Sequence, residues 1–164
     1  MNAKELLLLE WKHTYDQEDW YPPLRTVLAG LNAAQASWKP AGSTVNSIWE
    51  NISHLLVYKE RMLCRLSGTP FTRQPENNEA TFEPSGGAED EAAWQATVRR
   101  LDEVHHQIFD KLSALSEEEL LQPLTTYTVQ QSAMSLVLHD AYHTGQIVQL
   151  RKLQGSWPAQ RSEA

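Results

Sequence analysis

The sequence predicts an all-α protein, a four-helix bundle with one long crossover connection between helices two and three. Three observations carry that expectation. Apolar residues recur at three- and four-residue spacing through four long stretches, the signature of amphipathic helices. The segments between those stretches gather the prolines and glycines. The β-prone run Thr125–Val129 is too short to build a sheet on. Residues 1–164 read as one domain, with a core over about 3–155 and a polar tail over 156–164.

Helix one is expected over 3–17, where Leu6, Leu7, Leu9, Trp11 and Tyr15 supply the apolar face. Pro22 and Pro23 interrupt the chain, and Leu24, Val27, Leu28 and Leu31 resume helical spacing. WKPAGST, residues 38–44, is a turn by composition. Helix two runs from about Val45 to Leu66, capped by Thr44 or Ser47, and Gly68 and Pro70 mark its end. Residues 70–88 form a polar, acidic connection with three prolines and two glycines; loops this long inside a domain are often functional. Helix three covers about Glu89–Leu115, and Ser116 with Glu119 forms a capping-box pattern for a short helix after it. Helix four spans about 130–153 and is apolar nearly all round, which points to the most buried helix of the bundle.

Composition excludes several classes. The net charge of −7 argues against a nucleic-acid partner, since phosphate binding needs a basic surface. No apolar run approaches the length of a membrane span, and the four leucines near the start are too few for a secretion signal. The single cysteine, Cys64, permits no intrachain disulfide and fits a reducing compartment, so the expected location is the cytoplasm. Cys64 itself reads as a small buried hydrophobe.

The chemistry lies in the histidines. His139 and His143 are four apart, so a helix puts both on one face with Cβ atoms about 5–6 Å apart, a spacing at which two imidazoles can share an ion. Taken alone, the pair is weak evidence and better fits two hydrogen-bonded or exposed polar tips. Two features favour the ligand reading. The pair sits on the most apolar helix, within a polar seam that also holds Ser132, Ser135 and Gln146. A third histidine, His54, lies at the edge of the apolar stripe of helix two, and bundle cores build metal sites from facing helices. Glu50 and Tyr58 lie one turn to either side of His54 and are the candidate catalytic side chains. Gln146 is expected to hydrogen-bond a ligand and fix its ring without binding the ion, because amides are poor ligands beside imidazole. His13, His105 and His106 read as surface or edge residues, and Asp140 as exposed on the far side of its helix.

The segments SIWENISHLL and LHDAYHTGQIVQLRKL resemble the two signatures of the DinB-like (YfiT-like) metalloenzyme superfamily. The matching positions are His54, His139 and His143, followed by Gly145-Gln146-Ile147. The resemblance implies a four-helix bundle, often dimeric, with zinc, nickel or another divalent ion. It also implies activities such as transfer of low-molecular-weight thiols or thiol-dependent isomerisation.

Three neutral ligands leave a position on the ion open for water or a thiol. The expected function is therefore a metal-dependent enzyme acting on a small-molecule substrate, with one divalent ion per chain and a low-molecular-weight thiol as possible cosubstrate. The alternatives are a metal-dependent hydrolase or a non-catalytic metal-binding stress-associated protein. A homodimer is expected as well: Leu6–Leu9 sweep about 300° of a helix surface, more than one packed face can cover.

Overall fold

The computed structural model describes residues 1–158, which form an all-helical bundle with no strand among them. The helices are α1 (Ala3–His13), α2 (Leu24–Leu28), α3 (Ala33–Ser37), α4 (Ile48–Ser67), α5 (Glu91–Ala114), α6 (Glu117–Leu120) and α7 (Val129–Leu153). The four long ones, α1, α4, α5 and α7, make the body of the molecule. No helix among the described residues is long and apolar enough to cross a membrane.

Local chemistry fixes the ends. Of the two expected caps for α4, Ser47 is the one used: its hydroxyl accepts from the Glu50 N–H while the Glu50 carboxylate accepts from the Ser47 N–H. Gly68 closes the helix at φ 65°, in the left-handed region that favours glycine. Ser116 and Glu119 form the expected box and open α6. Thr128 and Gln131 form another at the start of α7. Helix one ends earlier than its pattern suggests, at His13. The N–H groups of Tyr15, Asp16 and Gln17 all turn back onto the Lys12 carbonyl. That turn carries Tyr15 into the core.

The core is built on Trp11, Trp49 and Trp94, from α1, α4 and α5, each fully enclosed. Trp49 and Trp94 meet edge to face with centroids 5.4 Å apart. The Trp94 indole N–H donates to the Leu31 carbonyl at 2.8 Å, holding α5 to the segment after α2. The expectation that the last helix is the most buried is corrected: α4 buries 11 of its 20 residues, α7 only 10 of its 25. Apolar side chains surround α7, but Leu138, Tyr142 and Leu153 are exposed, while Asp140, His143, Thr144 and Arg151 point inward.

The segment between α4 and α5 is more than a surface connection. It contains a 3-10 helix, Glu79–Phe82, that packs against α4 and buries Thr81. This return of the chain completes the site.

Candidate metal centre

α7 presents His139 and His143 on one face, and α4 brings His54 to them from the other side. The ligand atoms of the three lie within 4.8 Å of one another. His139 Nε2 is 2.9 Å from His54 Nε2 and 3.1 Å from His143 Nε2.

The partners of the other ring nitrogens decide which nitrogen faces inward. Asn51, one turn before His54, donates its amide N–H groups to the carbonyls of Ser47 at 2.8 Å and Asn46 at 3.3 Å. Its Oδ1 is thereby left to accept from His143 Nδ1–H, at 2.7 Å. The Thr81 hydroxyl donates to the Asn78 carbonyl, so Thr81 Oγ1 accepts from His54 Nδ1–H. Both rings are thus held as Nδ1–H tautomers with bare Nε2 lone pairs aimed at His139. One proton on His139 Nε2 can satisfy only one of them. The remaining contact sets two lone pairs against each other, an arrangement that a shared cation relieves. Ligands bound at about 2.0–2.1 Å to one ion stand about 3 Å apart; two of the three Nε2 pairs have that spacing and all three ligand atoms lie inside 4.8 Å, so the residues present fit a divalent metal.

Charge supports the same fit. Burial first, then the neighbouring imidazoles, pushes His54 down to about 3 from the usual 6.5. Burial likewise brings His139 down to about 4, helped by His143 and the Lys59 ammonium. Burial lowers His143 too, and Gln146 acts in the opposite direction. At neutral pH all three are uncharged, the form that binds a metal.

The centre faces a cavity of about 790 Å³. Tyr58, Phe82 and Tyr142 form aromatic walls, and Asn78, Glu79, Ser135 and Gln146 edge it. Phe82 stacks on the His54 ring at 4.0 Å. Three ligands on one side and open space on the other leave room for a small molecule at the centre.

The other residues singled out in the sequence are placed as follows. Tyr58 lines the cavity, 5.1 Å edge-on from the His139 ring, and donates to Asn78 Oδ1 at 3.3 Å. Glu50 does not line the cavity; its carboxylate is engaged by the Ser47 N–H and by the Lys39 ammonium, each at 2.6 Å. Gln146 lies exposed at the rim. Ser135 shares the cavity, whereas Ser132 does not line it. Cys64 is half-buried rather than enclosed. His13 and His106 are partly exposed beside acidic residues, as edge residues should be.

Two further expectations are corrected. His105 is buried, stacked 4.9 Å from Trp11 and 4.1 Å from Tyr15. Burial and the Lys59 ammonium hold it well below the usual histidine range. Asp140 is fully buried, not exposed, and its Oδ2 meets Lys59 Nζ at 2.6 Å. Burial pushes its carboxyl up and Lys59 opposes that. One partner explains both errors: the buried Lys59 ammonium of α4 meets Asp140 on α7 and His105 on α5, a pairing between elements that no single helix pattern records.

Sequence reasoning did not find Asn51, Thr81 and Phe82. Asn51 left a faint signal, a polar residue inside the apolar stripe of α4 one turn from His54. Thr81 and Phe82 left none, since their segment has no periodicity.

Compared with known proteins, residues 22–147 match the profile of the DinB superfamily. That span includes all three histidines, Asn51 and Thr81. No curated relative matches the chain.

Proposed function

The chain belongs to the DinB superfamily, and on that premise we propose that it is a metal-dependent enzyme holding one divalent ion on His54, His139 and His143. Zinc and nickel are the best candidates, because borderline ions suit three imidazoles. The observation that carries the reading is the convergence of the Nε2 atoms, with Asn51 and Thr81 fixing two of the rings so that bare lone pairs face one point.

A divalent ion bound there supplies a Lewis acid that makes a coordinated thiol, or water, nucleophilic at neutral pH. The rest is work for the chain itself. Asn51 and Thr81 keep the imidazoles from turning, which preserves the geometry between turnovers. Tyr58, Phe82 and Tyr142 offer aromatic walls to a small substrate. The Tyr58 hydroxyl is the cavity group placed to hand a proton to a leaving atom, and Asn78 orients it. Neither Cys64 nor any lysine lines the cavity wall, and the Ser135 hydroxyl there donates to the Gln131 carbonyl of its own helix. That favours transfer of a small cellular thiol to an electrophile over hydrolysis through a protein-bound intermediate. In this reading the protein is cytoplasmic, where low-molecular-weight thiols are reduced and abundant, and it acts as a homodimer.

The test is metal content followed by thiol consumption. Purified protein should carry about one divalent ion per chain, His54→Ala and His143→Ala should carry almost none, and the loaded protein should consume a small thiol in the presence of a model electrophile. Equal metal in wild type and His143→Ala rejects the centre; full metal with no thiol chemistry rejects the transferase.

A further inference from the structure

Below the histidine centre lies a buried polar cluster that metal binding does not use. Lys59 and Asp140 are both 0% exposed, and Lys59 Nζ approaches Asp140 Oδ2 at 2.6 Å. The same ammonium reaches His105 Nδ1 at 3.2 Å and lies 4.8 Å from the centre of the Trp11 ring. Its three N–H groups therefore find a carboxylate, an imidazole lone pair and an aromatic face. Those partners come from α7, α5 and α1, while Lys59 belongs to α4. One ammonium thus touches all four long helices.

Its position along the helices matters. Asp140 directly follows the ligand His139, and Lys59 lies five residues past the ligand His54. On the other side of His54 the Asn51–His143 hydrogen bond joins the same two helices. Along α4, His54 is bracketed by two polar cross-links to α7 about 12 Å apart. The buried surface of the two helices around these links is otherwise largely apolar, from residues such as Ile52, Leu55, Leu136 and Ile147, and apolar packing is non-directional. A slip of one residue moves a helix about 1.5 Å along its axis and turns it about 100°. That is half of the 2.9–3.1 Å between the Nε2 atoms and enough to separate them. Apolar contacts tolerate such a change far better than a buried ion pair does, since a slip leaves each charge without its partner.

We propose that Lys59 and Asp140 are positioning residues for the histidine centre, their ion pair locking α4 and α7 in the one register at which the three Nε2 atoms converge. The proposal rests on the metal reading above for its consequence, but the register itself can be measured without metal.

The experiment replaces the pair by apolar side chains of similar size, Lys59→Met with Asp140→Leu, a change that buried pairs often tolerate without loss of stability. Three quantities are compared with wild type: helical content and melting, cobalt affinity by competition with a chelator together with its visible absorption, and the histidine tautomers of the metal-free protein by long-range proton–nitrogen NMR. The expected result is a folded double variant that binds cobalt about 10–100-fold more weakly, with altered absorption, and in which His143 no longer holds the Nδ1–H tautomer. Cobalt affinity within twofold of wild type, with unchanged tautomers, overturns the proposal and leaves the pair a fold-stabilising element alone. Should the double variant not fold, Asp140→Glu retains both charges but displaces the carboxylate by one methylene. It is expected to fold and to lose about tenfold in cobalt affinity, and wild-type affinity there is equally fatal. If wild-type protein binds no metal, the proposed function fails, and the tautomers alone decide the register.

Discussion

Replacing Asn51 by alanine is the sharpest probe of how the centre is held. Asn51 is buried, and its Oδ1 accepts from His143 Nδ1–H at 2.7 Å. The substitution removes the acceptor, so the imidazole can turn about its χ2 angle or shift its proton to Nε2, the nitrogen that faces the other two histidines. Loss of such a ring-holding partner typically weakens metal binding about 10–100-fold, equivalent to about 1.4–2.8 kcal/mol. The metal-free protein should also lose stability, by about 1–3 kcal/mol, because a buried N–H is left without an acceptor. Asn51→Asp separates the two roles of the amide: it keeps an acceptor on His143 but gives up the N–H groups that anchor it to the carbonyls of Ser47 and Asn46. Zinc affinity by chelator competition is the assay, with circular dichroism as the check on folding. The expected order is wild type close to Asn51→Asp, with Asn51→Ala well below both. Gln146→Ala, at the exposed rim, should cost less than Asn51→Ala. A folded Asn51→Ala protein that binds zinc within threefold of wild type would falsify the tautomer argument.

Stability of the metal-free protein should depend on pH through the histidines. The folded values of His54 and His139 are depressed to about 3 and about 4 from 6.5, so the unfolded chain takes up protons first as pH falls. Their contribution is fully present above about pH 6.5 and is lost as pH drops through about 4 to about 3; thermal melts across that range should show a flat plateau and then a decline, and stability that rises on acidification contradicts the burial of the rings. Ser47→Ala removes the hydroxyl that caps α4 and should cost about 1 kcal/mol, a fall in melting temperature of about 2–4 °C by calorimetry. Equilibrium sedimentation at micromolar concentration should give twice the 18.7 kDa of one chain. The exposed Leu138 and Tyr142, one turn apart on α7, are the surface on which this is best tested: Leu138→Asp should shift the protein to monomer, and a monomeric wild type rejects the dimer outright.

Much of this protein is written in local pattern. The spacing of apolar residues located every long helix, Ser47 was one of the two caps read for α4, the Ser116–Glu119 box marked the start of α6, and the four-residue interval of His139 and His143 put them on one face before any packing was known. His54 was legible as a polar residue at the edge of an apolar stripe. These features are carried by residues three or four apart, and helical geometry alone turns such spacing into shared direction. What the tertiary structure decided lies between residues far apart in sequence. It brought His54 against His139, returned the 70–88 segment so that Thr81 fixes the His54 ring, and matched Asn51 to His143. It also buried Asp140, which its helix pattern placed on the exposed side, against Lys59. Periodicity states which face of a helix avoids water, but a polar side chain on that face is satisfied only by a partner on another element, and the identity of that partner exists only once the helices have packed.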